Sequence, residues 1–210
     1  MSAQWSEIAP GAFYAPGYLP TDGQRVVASR CLALGAAEAG FYAPVARGGH
    51  PMSVRMFCLG RHWNALTYRY EPVRSDIDGR AVAPLPDDLA ALARRVADDA
   101  GFSLSPDICI VNWYRLGSRM GLHQDKDESA ESIARGAPVV SISLGEAARF
   151  LFGGLRRRDP VATIPLGSGD AFVFGGPARL RYHGVARILP GTGPDGLGFE
   201  GRLNLTFRQY

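Results

Sequence analysis

Lysine is almost missing from this 210-residue chain: Lys126 is the single lysine, so 22 of the 23 basic residues are arginine. Together with abundant alanine and 26 glycines, that bias reflects genome base composition rather than a dedicated charge pattern. A formal charge of +3 permits a nucleic-acid partner without requiring one. Cysteine is also scarce. Cys31, Cys58 and Cys109 are odd in number and far apart, which excludes a disulfide framework or a zinc clip and fits reduced thiols. Nowhere do about eighteen apolar residues run unbroken, so no membrane span is expected. The start, Met1 to Glu7, lacks the basic and apolar regions of a leader, and the expectation is a cytoplasmic chain with no membrane and no obligate protein partner. Histidine is the last shortage: His50, His62, His123 and His183 are all there are.

What is present suits one well-buried domain, with 46% hydrophobic residues. Thr21 opens a helical stretch through Val26, Val27, Cys31 and Leu32, broken at Gly35 and Gly40. Pro86-Asp87-Asp88 starts a second helix, on which Leu89, Leu92, Val96 and Ala97 recur at helical spacing up to Gly101. Between them, Gly48 to Arg80 is rich in arginine and aromatic residues and broken by turns, as hairpins forming a mobile cover would be. Beyond residue 106 the texture changes. Short apolar segments at Ile108 to Tyr114, Val139 to Leu144, Arg149 to Phe152, Asp170 to Phe174, Tyr182 to Ile188 and Gly201 to Phe207 are separated by Gly, Pro and Asp, the pattern of a β-sandwich or jelly roll. The expected class is α+β, mainly β: a single domain over 1–210, with a lid at approximately 40–82 and a core at approximately 106–210. The glycine-rich stretch Pro190 to Glu200 reads as a loose loop.

Within that frame His123-Gln124-Asp125 is the most informative segment. Residues two apart on a strand share a face, so His123 and Asp125 can reach one metal while Gln124 points away, with His183 arriving from another strand. Two imidazoles and a carboxylate on one side of an octahedral ferrous ion leave positions for a chelating cosubstrate and dioxygen. A His-x-Asp pair with a distant histidine is as often structural, so the arginines downstream matter. In Arg202-Leu203-Asn204-Leu205-Thr206-Phe207-Arg208, alternation separates Leu203, Leu205 and Phe207 from Arg202, Asn204, Thr206 and Arg208. By spacing alone this is an outer strand with its polar face in water. An iron site that needs a dianionic cosubstrate gives the polar face another use, as a guanidinium cradle for a carboxylate. Asn112 and Tyr114 share a face on the strand leading toward His123 and can add an amide and a phenol.

Taken in order, Asn112-Trp113-Tyr114, Leu122 to Glu128, Val140 to Gly145, Phe152-Gly153-Gly154-Leu155, Tyr182-His183-Gly184 and Arg202 to Gln209 resemble the AlkB family of iron(II)- and 2-oxoglutarate-dependent nucleic-acid dealkylases. The resemblance extends over about residues 40 to 210. It implies a double-stranded β-helix core with an N-terminal α/β substrate-recognition lid. It further implies that His123, Asp125 and His183 bind Fe(II), that Arg202, Asn204 and Tyr114 hold the distal carboxylate of 2-oxoglutarate, and that Asn112 and Arg208 sit nearer its chelating end. In the lid, Trp63 would stack on the substrate base opposite the His123 ring. Asp127 would accept from the exocyclic amine, with Glu128 favouring a cationic base. Met52 and Met56 would line the pocket, and Tyr70, Arg157 and Lys126 would touch nearby base or phosphate. One departure is His50-Pro51, which follows Gly48-Gly49 where close bacterial relatives carry an aromatic residue.

The activity so implied is oxidative demethylation of 1-methyladenine and 3-methylcytosine in DNA, single-stranded in preference, and in RNA as a further substrate, with O2 as the second cosubstrate. Two other readings share these residues. One is an oxygenase of the same fold acting on a protein, a lipid or a tRNA modification, since fold does not determine substrate. The other is a jelly-roll module that binds and does no chemistry.

Overall fold

In a sheet buried on both faces, alternation sorts side chains between two cores rather than between core and water. The computed structural model describes residues 4–37, 39–45 and 47–210, and it builds such a sheet. The strands are β1 (Ser6–Ala9), β2 (Ala12–Ala15), β3 (Val54–Leu59), β4 (His62–Asn64), β5 (Arg69–Glu71), β6 (Ile108–Tyr114), β7 (Met120–His123), β8 (Val139–Gly145), β9 (Ala147–Phe152), β10 (Ala162–Leu166), β11 (Ala171–Phe174), β12 (His183–Leu189) and β13 (Arg202–Arg208). The helices are α1 (Thr21–Ala36), α2 (Asp87–Asp99) and α3 (Ala130–Ala134). A seven-stranded sheet in the order β1-β2-β11-β8-β13-β6-β3 faces a four-stranded sheet, β10-β9-β12-β7. Their pairings are antiparallel, and β4 and β5 form a separate hairpin. This is the jelly roll that the spacing of apolar segments predicts.

Two hydrophobic cores lie on the two sides of the larger sheet. On the outer side, Val27, Cys31, Leu89, Leu92 and Val96 of α1 and α2 pack on Phe57, Val111, Ile142, Leu203, Leu205 and Phe207. On the inner side, Val54, Ile110, Phe172 and Phe174 meet Phe150, Phe152, Leu166 and Val185 of the smaller sheet. The apolar residues of β13 therefore face the helices, and Arg202, Asn204, Thr206 and Arg208 point into the jelly roll. The outer-strand reading of that segment fails because both faces of β13 are covered.

Three other expectations change. α1 runs through Gly35 instead of stopping there, and the glycine admits the Phe41 ring, since a Cβ at this position would lie 2.2 Å from Phe41 Cε2. β3 lies within the proposed lid boundaries yet is a strand of the seven-stranded sheet, with Val54, Phe57 and Leu59 fully buried. The cover over the site is thus narrower than approximately 40–82, and the core takes β1, β2 and β3 from before residue 106. The 190–200 loop is not loose. The Glu146 carboxylate accepts from the backbone N–H groups of Gly191, Thr192 and Gly193 at 3.2, 2.7 and 2.9 Å, and Leu197 is buried in the outer core. No described helix is long and apolar enough to cross a membrane.

Candidate metal and cosubstrate centre

Pairing of β7 with β12 sets His123 directly opposite His183, with ring centroids 4.4 Å apart. β7 ends at His123, so Asp125 stands in the loop beyond it rather than on the strand, while Gln124 turns aside to donate to Leu180 O at 2.6 Å. One ligand atom from each of His123, Asp125 and His183 lies within 4.8 Å of the others. Each imidazole is oriented by its backbone. His123 Nδ1 lies 2.9 Å from Gly121 O, and His183 Nδ1 lies 3.0 Å from Arg181 O. Donation of Nδ1–H to these carbonyls leaves both Nε2 lone pairs turned toward Asp125, the tautomer a metal requires. Burial, reinforced by the neighbouring His183, pushes His123 down to about 4, so the ring is a neutral ligand at pH 7. Burial alone would raise Asp125, but Arg208 and then the histidines hold it well below the carboxylate range.

Behind the triad lies an ion-pair network. Arg208 Nη2 is 2.6 Å from Asp125 Oδ2, and its Nε is 3.1 Å from Glu128 Oε1. Arg179 Nη2 is 2.9 Å from Glu128 Oε2, and Arg179 also donates to the Asp125 carbonyl. Glu128 thus does not face a substrate base, as the sequence led us to expect. Its carboxylate is buried and neutralised by two guanidinium groups. Arg179 was not foreseen from sequence, because its turn after β11 carries no periodicity or motif to single it out.

Arg202 is a different case. It is fully buried, donating to Leu166 O at 3.3 Å and to Ser143 Oγ at 2.8 Å, while its Nε–H has no partner. No carboxylate lies within ion-pair distance of it among the described residues. Burial lowers its pKa to about 10, which leaves it charged at pH 7. Asn112 Oδ1 and Arg208 Nη1 are also buried without partners. Asn204 donates to Ser141 Oγ at 2.7 Å and accepts from Thr206 Oγ1 at 3.1 Å, and the Tyr114 hydroxyl lies 3.7 Å from Met120 Sδ. A buried cation with donors to spare fits an anionic carboxylate, since an unpaired charge in an apolar interior is costly.

A cavity of about 470 Å³ joins these groups. All the metal, cosubstrate and substrate residues expected from the sequence line it, as does Thr206 of the same polar face, together with Tyr68, Met120 and Ser141, which the sequence did not point to. Met56 and Tyr70 are buried in its wall, while Lys126 and Arg157 are exposed at its rim, Arg157 donating to Leu122 O at 2.8 Å. Trp63 Nε1 donates to Asp127 Oδ2 at 2.8 Å, so the carboxylate expected to accept a substrate amine engages the indole expected to stack on the base. His50 is exposed and Pro51 pairs with Val45, which keeps this departure on the outer surface of the cover.

This fold and triad define a class, and comparison with known proteins gives the same one: residues 11–208 match the 2OG-Fe(II) oxygenase superfamily. Fe(II), 2-oxoglutarate and O2 are the reagents of that class, and the triad and the unpaired Arg202 fit the first two. The chain is 42% identical to the alpha-ketoglutarate-dependent dioxygenase AlkB homolog of Caulobacter vibrioides, over 100% of this chain and 92% of that protein. It is 40% identical to the DNA N(6)-methyladenine demethylase ALKBH1C of Arabidopsis thaliana, covering 97% of this chain but 49% of that protein, so it spans about half the length of that relative. The solved structure of OsALKBH1 superposes with a TM-score of 0.92 at 37% identity, covering 99% of this chain and 100% of that one. The chain belongs to the AlkB family of 2OG-Fe(II) oxygenases.

Proposed function

We propose that this protein oxidatively removes methyl groups from ring nitrogens of nucleobases, acting on 1-methyladenine and 3-methylcytosine in single-stranded or locally opened DNA, and on RNA of the same form. The observation that carries the reading is the cavity itself, which is lined in common by His123, Asp125, His183, Trp63 and Asp127. A planar base between the indole and the His123 ring would bring an N-methyl carbon toward the triad, and either aromatic face suits any base. Such a carbon is out of reach in a stacked duplex, so the base must be turned out into the cavity.

When bound, Fe(II) with 2-oxoglutarate and O2 supplies oxidation of a methyl C–H to C–OH, the keto acid becoming succinate and CO2, after which the N-hydroxymethyl group leaves as formaldehyde. The chain's own residues supply the rest. His123, Asp125 and His183 would hold the metal on one side only. Arg202, with Asn204 and Tyr114 beside it, would seat the distal carboxylate, and Arg208, which pairs with Asp125, would sit nearer the chelating end. Asp127 keeps a second carboxylate oxygen for the exocyclic amine while Trp63 holds the first. Its negative charge in a partly desolvated pocket favours a cationic base over its neutral parent. The name of the Arabidopsis relative supports a second substrate, N6-methyladenine, whose methyl sits on the amine that Asp127 would receive.

The test loads purified protein with Fe(II) and 2-oxoglutarate without oxygen, then adds air and a short oligonucleotide carrying one 1-methyladenine. Parallel samples carry 3-methylcytosine and N6-methyladenine. Loss of one methylene mass unit in the wild type and not in Asp125→Ala is the expected result. Succinate formed with every oligonucleotide mass unchanged would mean an oxygenase of the same fold with a non-nucleic substrate.

A further inference from the structure

Resting on the nucleobase reading above, we infer that His62 and Asp76 are positioning residues for the substrate base, a buried pair behind β4 that fixes the ring plane of Trp63. β4 and β5 have three residues each and pair with no other strand. A two-stranded hairpin of that length is not stable by itself in water. Its turn adds little support. Among the described non-glycine residues Tyr68 alone has a positive φ, at 57°, a conformation that disfavours a bulky side chain, and the Arg47 guanidinium over its ring, Cζ 4.5 Å from the centroid, belongs to an exposed residue. Yet a stacking wall has to hold its plane closely. A displacement of about 1 Å in a positioning group carries through to the reacting atom and can cost on the order of a hundredfold in rate.

Alternation on β4 sends Trp63 into the cavity and His62 and Asn64 to the buried face behind it. There His62 is 0% exposed, and its Nε2 lies 2.5 Å from Asp76 Oδ1. The other carboxylate oxygen, Oδ2, accepts from Ala65 N at 3.2 Å, so one side chain grips the hairpin on both sides of Trp63. Across the imidazole, Nδ1 lies 3.4 Å from the Tyr42 hydroxyl, and Tyr42 exchanges both backbone hydrogen bonds with Met56 of β3, at 2.9 and 2.8 Å. Asp76 is itself fixed. The N–H groups of Ile77, Asp78 and Gly79 converge on Arg74 O at 3.1, 3.1 and 2.9 Å, and Ser75 Oγ accepts from Asn64 Nδ2 at 2.9 Å. A line of contacts from Met56 through Tyr42, His62 and Asp76 to Ala65 thus ties the hairpin to the seven-stranded sheet, while Asp127 holds the indole from the cavity side. Apolar side chains would fill the space behind β4 as well, because a buried polar pair seldom adds net stability over a hydrophobic one. What a carboxylate between two donors adds is direction. Asparagine could not replace it, since its NH2 would turn toward one of the two N–H groups.

The test is a double-mutant cycle. Affinity for 1-methyladenosine 5′-monophosphate is measured by calorimetry in the Fe(II)- and 2-oxoglutarate-loaded protein without oxygen, for the wild type, Trp63→Ala, Asp76→Asn and the two together. Trp63→Ala should weaken binding about five- to hundredfold, the range for one stacked base. Asp76→Asn should weaken it about three- to thirtyfold and add nothing further in the Trp63→Ala background, because it acts through that ring. His62→Gln, which sets an amide nitrogen where Nε2 stands, should bind close to the wild type. If Asp76→Asn does not fold, the apolar pair His62→Phe with Asp76→Leu takes its place in the cycle. A second measurement needs no base. With 5-fluorotryptophan in the chain and Zn(II) in place of Fe(II), the Trp63 fluorine resonance, identified by its loss in Trp63→Phe, should move in Asp76→Asn while those of Trp5 and Trp113 stay. The inference is overturned if Asp76→Asn binds as the wild type does, if it weakens binding as much without the indole as with it, or if the Trp63 resonance does not move. A Trp63→Ala variant that binds normally while that resonance still moves would retain the orienting pair and refute the stacking of a base on Trp63.

Discussion

Replacing Arg202 with methionine should separate ligand binding from stability with unusual clarity. The guanidinium is buried, carries charge, makes two hydrogen bonds to neutral acceptors, and leaves its Nε–H unpartnered. In the protein alone that arrangement is poor. A buried unsatisfied donor costs about 1–3 kcal/mol, and no carboxylate compensates the charge. Methionine fills similar space without charge, and this relief offsets the hydrogen bonds lost at Leu166 O and Ser143 Oγ. With 2-oxoglutarate bound the balance reverses. Removing one partner of a buried charged pair costs about 2–5 kcal/mol, or roughly thirtyfold to several thousandfold in affinity. Arg202→Met should therefore keep or raise the thermal midpoint of the ligand-free protein while losing most of the stabilisation that saturating 2-oxoglutarate confers. Calorimetric titration with Mn(II) in place of Fe(II), paired with thermal scans with and without the keto acid, measures both quantities. A variant that is less stable alone yet binds 2-oxoglutarate normally would show that Arg202 is a strut between β10 and β8, and the carboxylate assignment would be wrong.

Three further substitutions probe the surroundings. Asp127→Ala removes both the Trp63 anchor and the amine acceptor, and should raise KM for a 1-methyladenine oligonucleotide about ten- to hundredfold while leaving metal affinity within error. Equal losses in both titrations would argue against its role with the base. Glu128→Gln leaves Arg179 and Arg208 short of their shared counter-charge and should destabilise the fold by about 3–5 kcal/mol; chemical denaturation at an unchanged midpoint would mean that the network is not what holds these guanidiniums. Gly35→Ala would ordinarily stabilise a helix by about 1 kcal/mol. Here the added methyl would meet Phe41 at 2.2 Å, and a lowered melting temperature is expected, with a raised one showing that the ring can move away at no cost.

Much of the fold was legible in the chain because its apolar segments are short, bounded by turn residues and rich in β-formers. Ile108 to Tyr114 is β6 to the residue, and the other five segments each become a strand with bounds shifted by a residue or two. β1, β2 and β10, each of only four or five residues, escaped notice. At the site, residue chemistry nominated His123, Asp125 and His183 with Arg202, Asn204 and Arg208, and the resemblance to the AlkB family supplied their expected roles.

Direction and partnership belong to the tertiary structure alone. Alternation in Arg202 to Arg208 separates two faces but does not say which meets solvent, and only α1 and α2 covering the outer side turn the arginines inward. Glu128 reads as one more acid after Asp127 until Arg179 and Arg208 close on it from distant parts of the chain. Tyr68 looks like an ordinary loop aromatic until φ and the overlying Arg47 are seen. A sequence determines which chemistries are available and which residues alternate together. Which charge is neutralised, which is left for a ligand and which backbone is strained depend on contacts between residues far apart along the chain, and those exist only once the two sheets have closed on each other.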